Sequence, residues 1–147
     1  MTPSGRHILL VEDNLADAKL AMKILNQSAE IERVHHVTDG DQAMNFLNRV
    51  DAFVEAPIPD LIILDLNLPR RGGREILKEI KENPRFQQIP VVILTSSDSE
   101  SDVMACLRLH ANAYVTKALD LFQFVEVLHS LEKFWLVSAK LPMKSSQ

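Results

Sequence analysis

Four short aliphatic runs constrain the fold of this chain more than anything else in it. They are Ile8-Leu9-Leu10-Val11, Leu61-Ile62-Ile63-Leu64, Val91-Val92-Ile93-Leu94 and the weaker Ala113-Tyr114-Val115. None alternates apolar with polar residues. An alternating strand has one wet face, whereas an unbroken apolar run suits a strand covered on both faces, as in a parallel sheet between helical layers. A fifth segment, Glu32-Arg33-Val34-His35-His36-Val37, is more polar and fits an edge position.

Helical patterns fill the intervals. Asn14 is placed to cap a helix with Leu15, Ala18, Met22 and Leu25 on one face. Asp39 and Gln42 have capping-box spacing ahead of Ala43, Phe46, Leu47 and Val50. Ile76, Leu77 and Ile80 mark a third helix, stopped by Asn83-Pro84. Ser99 is placed to cap a fourth, carrying Val103, Cys106 and Leu107. A fifth is expected over about Leu119 to Trp135, with Leu121, Phe124, Leu128 and Trp135 on its core stripe and Phe134 on its flank. Fivefold β–α alternation specifies the α/β class, an open doubly wound sheet of five parallel strands. The stretch 48–60 reads as a loop extending the second helix. Residues 1–136 are expected to form one domain, and 137–147 a tail.

Composition narrows the function. The 147 residues suit one domain. A net charge of −4 argues against direct nucleic-acid binding, although Arg70, Arg71 and Arg74 make a small basic patch. With the single cysteine Cys106 no intrachain disulfide can form, and no Cys/His cluster suggests structural zinc. His35 and His36 fall on opposite faces of a strand, and neither is expected to ligate a metal. No apolar run reaches the roughly 18–20 residues that span a bilayer, so a cytoplasmic location without membrane contact is expected.

The residues at the end of each apolar run carry the chemistry. The first run ends in Glu12-Asp13, the second in Asp65 and the third in Thr95, and Thr116-Lys117 come directly after the last. Open α/β sheets bind ligands outside the carboxyl ends of their strands. Three carboxylates, a hydroxyl and an ammonium therefore converge on one edge. Alone, an Asp at a strand end is commonly a helix cap, and a lysine commonly a solvated charge. Random placement rarely puts this whole set at four core-strand ends. Packed together, the carboxylates outweigh Lys117 by two charges, which a divalent cation offsets. Oxygen-only ligands favour a hard ion, and few protein ligands with several waters favour Mg²⁺, with Mn²⁺ or Ca²⁺ as substitutes. Asp13 and Asp65 are expected to bind it directly, with the Asn67 carbonyl, and Glu12 through water.

With these residues in place, the chain resembles the receiver domains of two-component response regulators over about residues 6–135. The motifs that carry the likeness are Glu12-Asp13, Asp65 followed by Pro69 and Gly73, Thr95-Ser96, and Lys117 with Tyr114 three residues before it. The resemblance implies a flavodoxin-like fold with strand order 2-1-3-4-5. It implies that Asp65 is the phosphoacceptor for a histidine kinase, assisted by Mg²⁺ and Lys117, and that Thr95 and Tyr114 are the switch residues. Asn67 and Ser97 occupy positions that tune phosphoryl lifetime in the family. One departure stands out: most receivers have proline after the lysine, on a cis bond, whereas here Ala118 follows Lys117. The lysine's reach leads us to expect a cis bond here too, at a cost of about 2.5–4 kcal/mol.

The segment Pro59 to Pro69, then Gly73-Arg74-Glu75, is similar to cyanobacterial regulators paired with phytochrome kinases. So are the long connection before the third strand and the ending Glu132-Lys133-Phe134-Trp135-Leu136. The 12 residues after Trp135 are too few for an effector module, so output is expected through a recognised surface. The wide apolar band of the fifth helix points to a homodimer through the face of the fourth helix, fifth strand and fifth helix. Two competing readings differ in class. A phosphatase of the dehalogenase type wants a second Asp two residues after the nucleophile, where this chain has Asn67, which cannot donate a proton. An unphosphorylated interaction module would tolerate loss of an acidic residue, Thr95 or Lys117, and none is lost.

Overall fold

The computed structural model describes residues 5–117 together with Glu126, His129 and Ser130. Its elements alternate: β1 (Arg6–Val11), α1 (Leu15–Leu25), β2 (Ile31–Val37), α2 (Gly40–Asn48), β3 (Leu61–Leu64), α3 (Gly73–Glu82), β4 (Val91–Thr95), α4 (Glu100–Arg108) and β5 (Ala113–Thr116). The five strands form one parallel sheet in the order β2-β1-β3-β4-β5. The polar segment, β2, is at an edge, as its composition predicts.

Strand periodicity divides the aliphatic runs between two cores. Leu9, Val11, Ile62, Leu64, Val91 and Ile93 face α2 and α3 through Ala43, Phe46, Leu47, Ile76, Leu77 and Ile80. Ile8, Leu10, Leu61, Ile63, Val92 and Leu94 face α1 through Ala18, Ala21, Ile24 and Leu25. Unbroken apolar sequence is therefore what a sheet with two covered faces needs.

The caps form where the sequence places them. Asn14, Asp39 and Ser99 accept from the backbone N–H groups of Asp17, Gln42 and Asp102. Gln42 returns its bond to the Thr38 N–H at 2.9 Å, one residue before the cap. α3 ends at Glu82, ahead of Asn83-Pro84.

Three apolar positions depart from expectation. Leu15 is 59% exposed, because α1 begins beyond the end of β1 and the helix closes on the sheet only at Ala18. Val50 is exposed because Arg49 turns left-handed (φ 58°) and ends α2. The connection to β3 is a loop, as expected, and opens with a single 3-10 turn, Asp51–Phe53. Leu107 is exposed beside Met104 on the outer side of α4, while Cys106 faces the core. The expected fifth helix falls mostly outside the described residues, as do Phe134, Trp135 and the tail; Glu126, His129 and Ser130 are helical. Among the described residues no helix is long and apolar enough to cross a membrane.

Candidate functional site

Sheet register assembles the site. Val11 pairs with Leu64, so the residues after them, Glu12 and Asp65, are neighbours. The Asp65 N–H donates to the Val11 carbonyl at 3.1 Å, and the Glu12 N–H to the Val37 carbonyl at 3.0 Å. On the other side, Thr95 pairs with Thr116, and the Lys117 N–H donates to the Thr95 carbonyl. Strand-end side chains from β1, β3, β4 and β5 thus meet at one edge, as the sequence implies.

Gly73 makes room for this arrangement. A Cβ there would run into the Asp65 carbonyl oxygen and lie 2.6 Å from the Leu66 Cα. The start of α3 can approach the loop after β3 only without a side chain. The Gly73 N–H donates to the Leu66 carbonyl at 2.9 Å, closing that loop.

The centre is an ammonium among carboxylates. Lys117 Nζ lies 2.8 Å from Glu12 Oε1, 2.9 Å from Asp17 Oδ2 and 3.2 Å from Asp65 Oδ2. Its side chain is 11% exposed, and those of Glu12 and Asp65 less. Glu12, Asp13 and Asp65 each offer a carboxylate oxygen within 4.8 Å of the others. Asp13 is exposed, so this cluster opens to solvent on one side. Three oxygen donors on an open edge fit a hard divalent cation that keeps part of its water shell.

Burial acts against so much charge. It pushes the Glu12 carboxyl up to about 7; the Asp65 carboxylate pushes the same way, and Lys117 opposes both. Burial also raises Asp65, but hydrogen bonds from Glu12, the Asn67 N–H and the Thr95 hydroxyl, with the Lys117 charge, outweigh it and hold Asp65 below the ordinary carboxylate range. Without a bound cation these shifts keep Asp65 ionised and bring the titration of Glu12 to about 7, so that Glu12 takes up its proton as the pH falls through that value. For Lys117, Glu12 and Asp17 overcome the burial that would lower it, so it stays charged.

The switch candidates lie alongside. Thr95 is fully buried. The half-buried Tyr114 donates its hydroxyl hydrogen to the Ser97 carbonyl at 2.7 Å, and Ser97 Oγ donates to Asp102 at 2.6 Å. The Asn67 N–H donates to Asp65 Oδ1 at 3.1 Å. The Lys117–Ala118 bond involves a residue outside those described. Of the two adjacent histidines, His35 contacts His7 at 3.0 Å, and His36 Nε2 donates to the Glu12 carbonyl at 2.8 Å, steadying the end of β1. The basic patch is largely neutralised. Arg70 and Arg71 meet Asp41, Arg71 also meets Glu75 and Glu79, and Arg74 meets Asp102.

Asp17 is the site residue that the sequence pattern did not single out. It was legible only as part of α1. The available signal was its position one helical turn beyond Asp13, which returns a side chain to the end of the sheet.

Fold and site together define a class: the chain belongs to the response regulator receiver domain family, whose family model matches residues 8–129. Among individual proteins, it is 44% identical over 135 residues to the response regulator Rcp1 of Synechocystis sp., covering 92% of each chain. The crystal structure of the phosphorylated cyanobacterial phytochrome response regulator RcpA superposes with a TM-score of 0.88, at 42% identity over 92% of this chain and 96% of that one. The Mn²⁺-bound form of Rcp1 does so with a TM-score of 0.86, at 43% identity over 90% of this chain and 96% of that one.

Proposed function

We propose that this chain is a phosphoryl-accepting switch, receiving on Asp65 the phosphoryl group of a sensor histidine kinase of the phytochrome class. One observation carries the reading: the buried Asp65 carboxylate lies 3.2 Å from the Lys117 ammonium and beside two further carboxylates, where hydrogen bonds and the ammonium charge favour its ionised form. The similarity to phytochrome-associated regulators supports the choice of kinase.

In the proposed step, an Asp65 carboxylate oxygen forms a bond to phosphorus as the P–N bond of the kinase phosphohistidine breaks. The departing imidazole keeps the bond's electron pair and takes up a proton. Lys117 passes its contact with Asp65 to an oxygen of the transferring group, whose charge it offsets. Asp13, Asp65 and the Asn67 carbonyl would hold Mg²⁺, with Glu12 acting through water. The ion would supply charge neutralisation for an anionic nucleophile meeting an anionic donor.

The Thr95 hydroxyl then donates to the new phosphoryl group. Ser97 lies two residues further on and holds the Tyr114 hydroxyl, so movement of Thr95 is passed to Tyr114 and to α4. Met104 and Leu107, exposed on α4, support this face as the one that signals and pairs in a homodimer, with residues 137–147 extending it. Residues 1–136 would be the receiver unit. The chain would act as a switch rather than a turnover enzyme, in the cytoplasm, without touching DNA or membrane.

The test is phosphotransfer from an autophosphorylated phytochrome-type kinase. Label should move from kinase to this chain within minutes in Mg²⁺, and not at all to Asp65→Asn. Retention of all label on the kinase would overturn the partner. For the dimer, replacing Phe134 with a charged residue should give a monomer by light scattering. An unchanged dimer would overturn that interface.

A further inference from the structure

We propose that Asp17 is a positioning residue for phosphoryl transfer, holding the Lys117 ammonium over Asp65 before and after the phosphoryl group arrives. The inference rests on the proposed phosphoacceptor role of Asp65 and adds a residue to it.

An ammonium has three N–H donors. Here they have three acceptors: Glu12, Asp17 and Asp65. Two of those acceptors have other duties, because Glu12 and Asp65 also belong to the carboxylate cluster that fits a cation. Asp17 lies outside that cluster, and among the described residues its side chain bonds to the lysine alone. Once an Asp65 oxygen becomes part of an acyl phosphate it is a poor acceptor. The contact to Asp65, the longest of the three, is then the one released to the phosphoryl group. A cation would compete for Glu12. The bond to Asp17 survives both changes.

Lys117 needs such an anchor, since its charge rides on a flexible four-carbon stem. Asp17 can provide one because its own placement is fixed. It sits in the first turn of α1, with its backbone N–H donating to the Asn14 cap at 3.0 Å. Its side chain is 37% exposed, so water hydrates the extra negative charge and limits its repulsion toward an anionic donor. A carboxylate buried like Asp65 would repel far more.

The experiment follows the phosphorylation rate with acetyl phosphate in saturating Mg²⁺, by intact mass, for Asp17→Ala and Asp17→Asn. Asp17→Ala should be about tenfold slower. Asp17→Asn keeps an acceptor oxygen and should fall between it and the wild type. Mg²⁺ affinity by calorimetry should change less than about twofold, since Asp17 is outside the cation cluster. In a Lys117→Met background, Asp17→Ala should change the rate by less than about twofold, because no ammonium remains to be held. An Asp17→Ala rate within twofold of wild type overturns the proposal. So does an equal loss in both backgrounds, which marks a structural role. A second readout needs no phosphotransfer: an amine-acylating ester should label Lys117 several-fold faster in Asp17→Ala, and unchanged labelling also overturns the proposal. A wild type that forms no adduct would overturn the phosphoacceptor reading, and the labelling would still decide the role of Asp17.

Discussion

Among the described residues, two places put one cation among three carboxylates. Lys117 meets Glu12, Asp17 and Asp65 at the carboxyl edge of the sheet. Arg71 meets Asp41, Glu75 and Glu79 on the outside of α2 and α3. The stoichiometry is the same and the consequence is not. Around Arg71 the carboxylates are between 42% and 62% exposed, so water and salt screen every pair. Around Lys117 two of the three are almost fully buried, and Glu12 is driven up to about 7. The difference lies in what each cluster sits on. Strand ends converge beneath the first, whereas helix surfaces lie beneath the second. Only the buried cluster keeps charge in a state that chemistry can use.

A glycine underlies each cluster, and the two sharpen the contrast most strongly. Gly73→Ala would drive a methyl group into the backbone of Asp65 and Leu66. It should cost about 4 kcal/mol in denaturant unfolding and impair phosphorylation. In Gly40→Ala, the methyl group meets Cδ1 and Cγ1 of the buried Ile76 at 2.5 and 2.6 Å; a side chain can shift where backbone cannot, and about 1–2 kcal/mol is expected. Equal losses would mean that the backbone contact at Gly73 is no tighter in effect than the side-chain contact at Gly40.

Removing the cations comes next. Lys117→Met leaves buried carboxylates without their partner and should cost about 3 kcal/mol at pH 8 without metal. The loss should shrink at pH 5, where Glu12 carries a proton. Arg71→Ala at the exposed cluster should cost under about 1 kcal/mol and less still in 0.5 M salt.

The pH dependence falls between those two in size. The folded Glu12 pKa lies above its unfolded value, so the folded state binds the extra proton between pH 4.5 and about 7. Stability of the metal-free protein should therefore decline by about 2–3 kcal/mol as pH rises through that window, and level off above it. Thermal unfolding with and without Mg²⁺ checks this. The ion should raise the melting temperature more at pH 8 than at pH 5, and Glu12→Gln should flatten the metal-free profile.

The sequence reveals the β–α order, the edge position of β2 and five of the converging residues because all depend on short-range pattern. Strands covered on both faces have no polar alternation to confuse the reading, and residues just past them must meet at one edge. The positions that misled are those where a helix meets its surroundings. Leu15 has helical spacing but no sheet beneath it. Val50 continues the pattern of α2 after Arg49 has turned the chain away. Asp17 was hidden for a related reason: its role comes from where the first turn of α1 stands relative to β5, a separation of 100 residues that no local pattern encodes.

Everything at the carboxyl edge turns on whether Asp65 accepts the phosphoryl group. The most direct measurement incubates the chain with acetyl phosphate and Mg²⁺ and maps any acid-stable, base-labile adduct by peptide mass spectrometry after reductive trapping. One adduct is expected, on Asp65, lost in Asp65→Asn and without Mg²⁺. No adduct, or one on another residue, would contradict it.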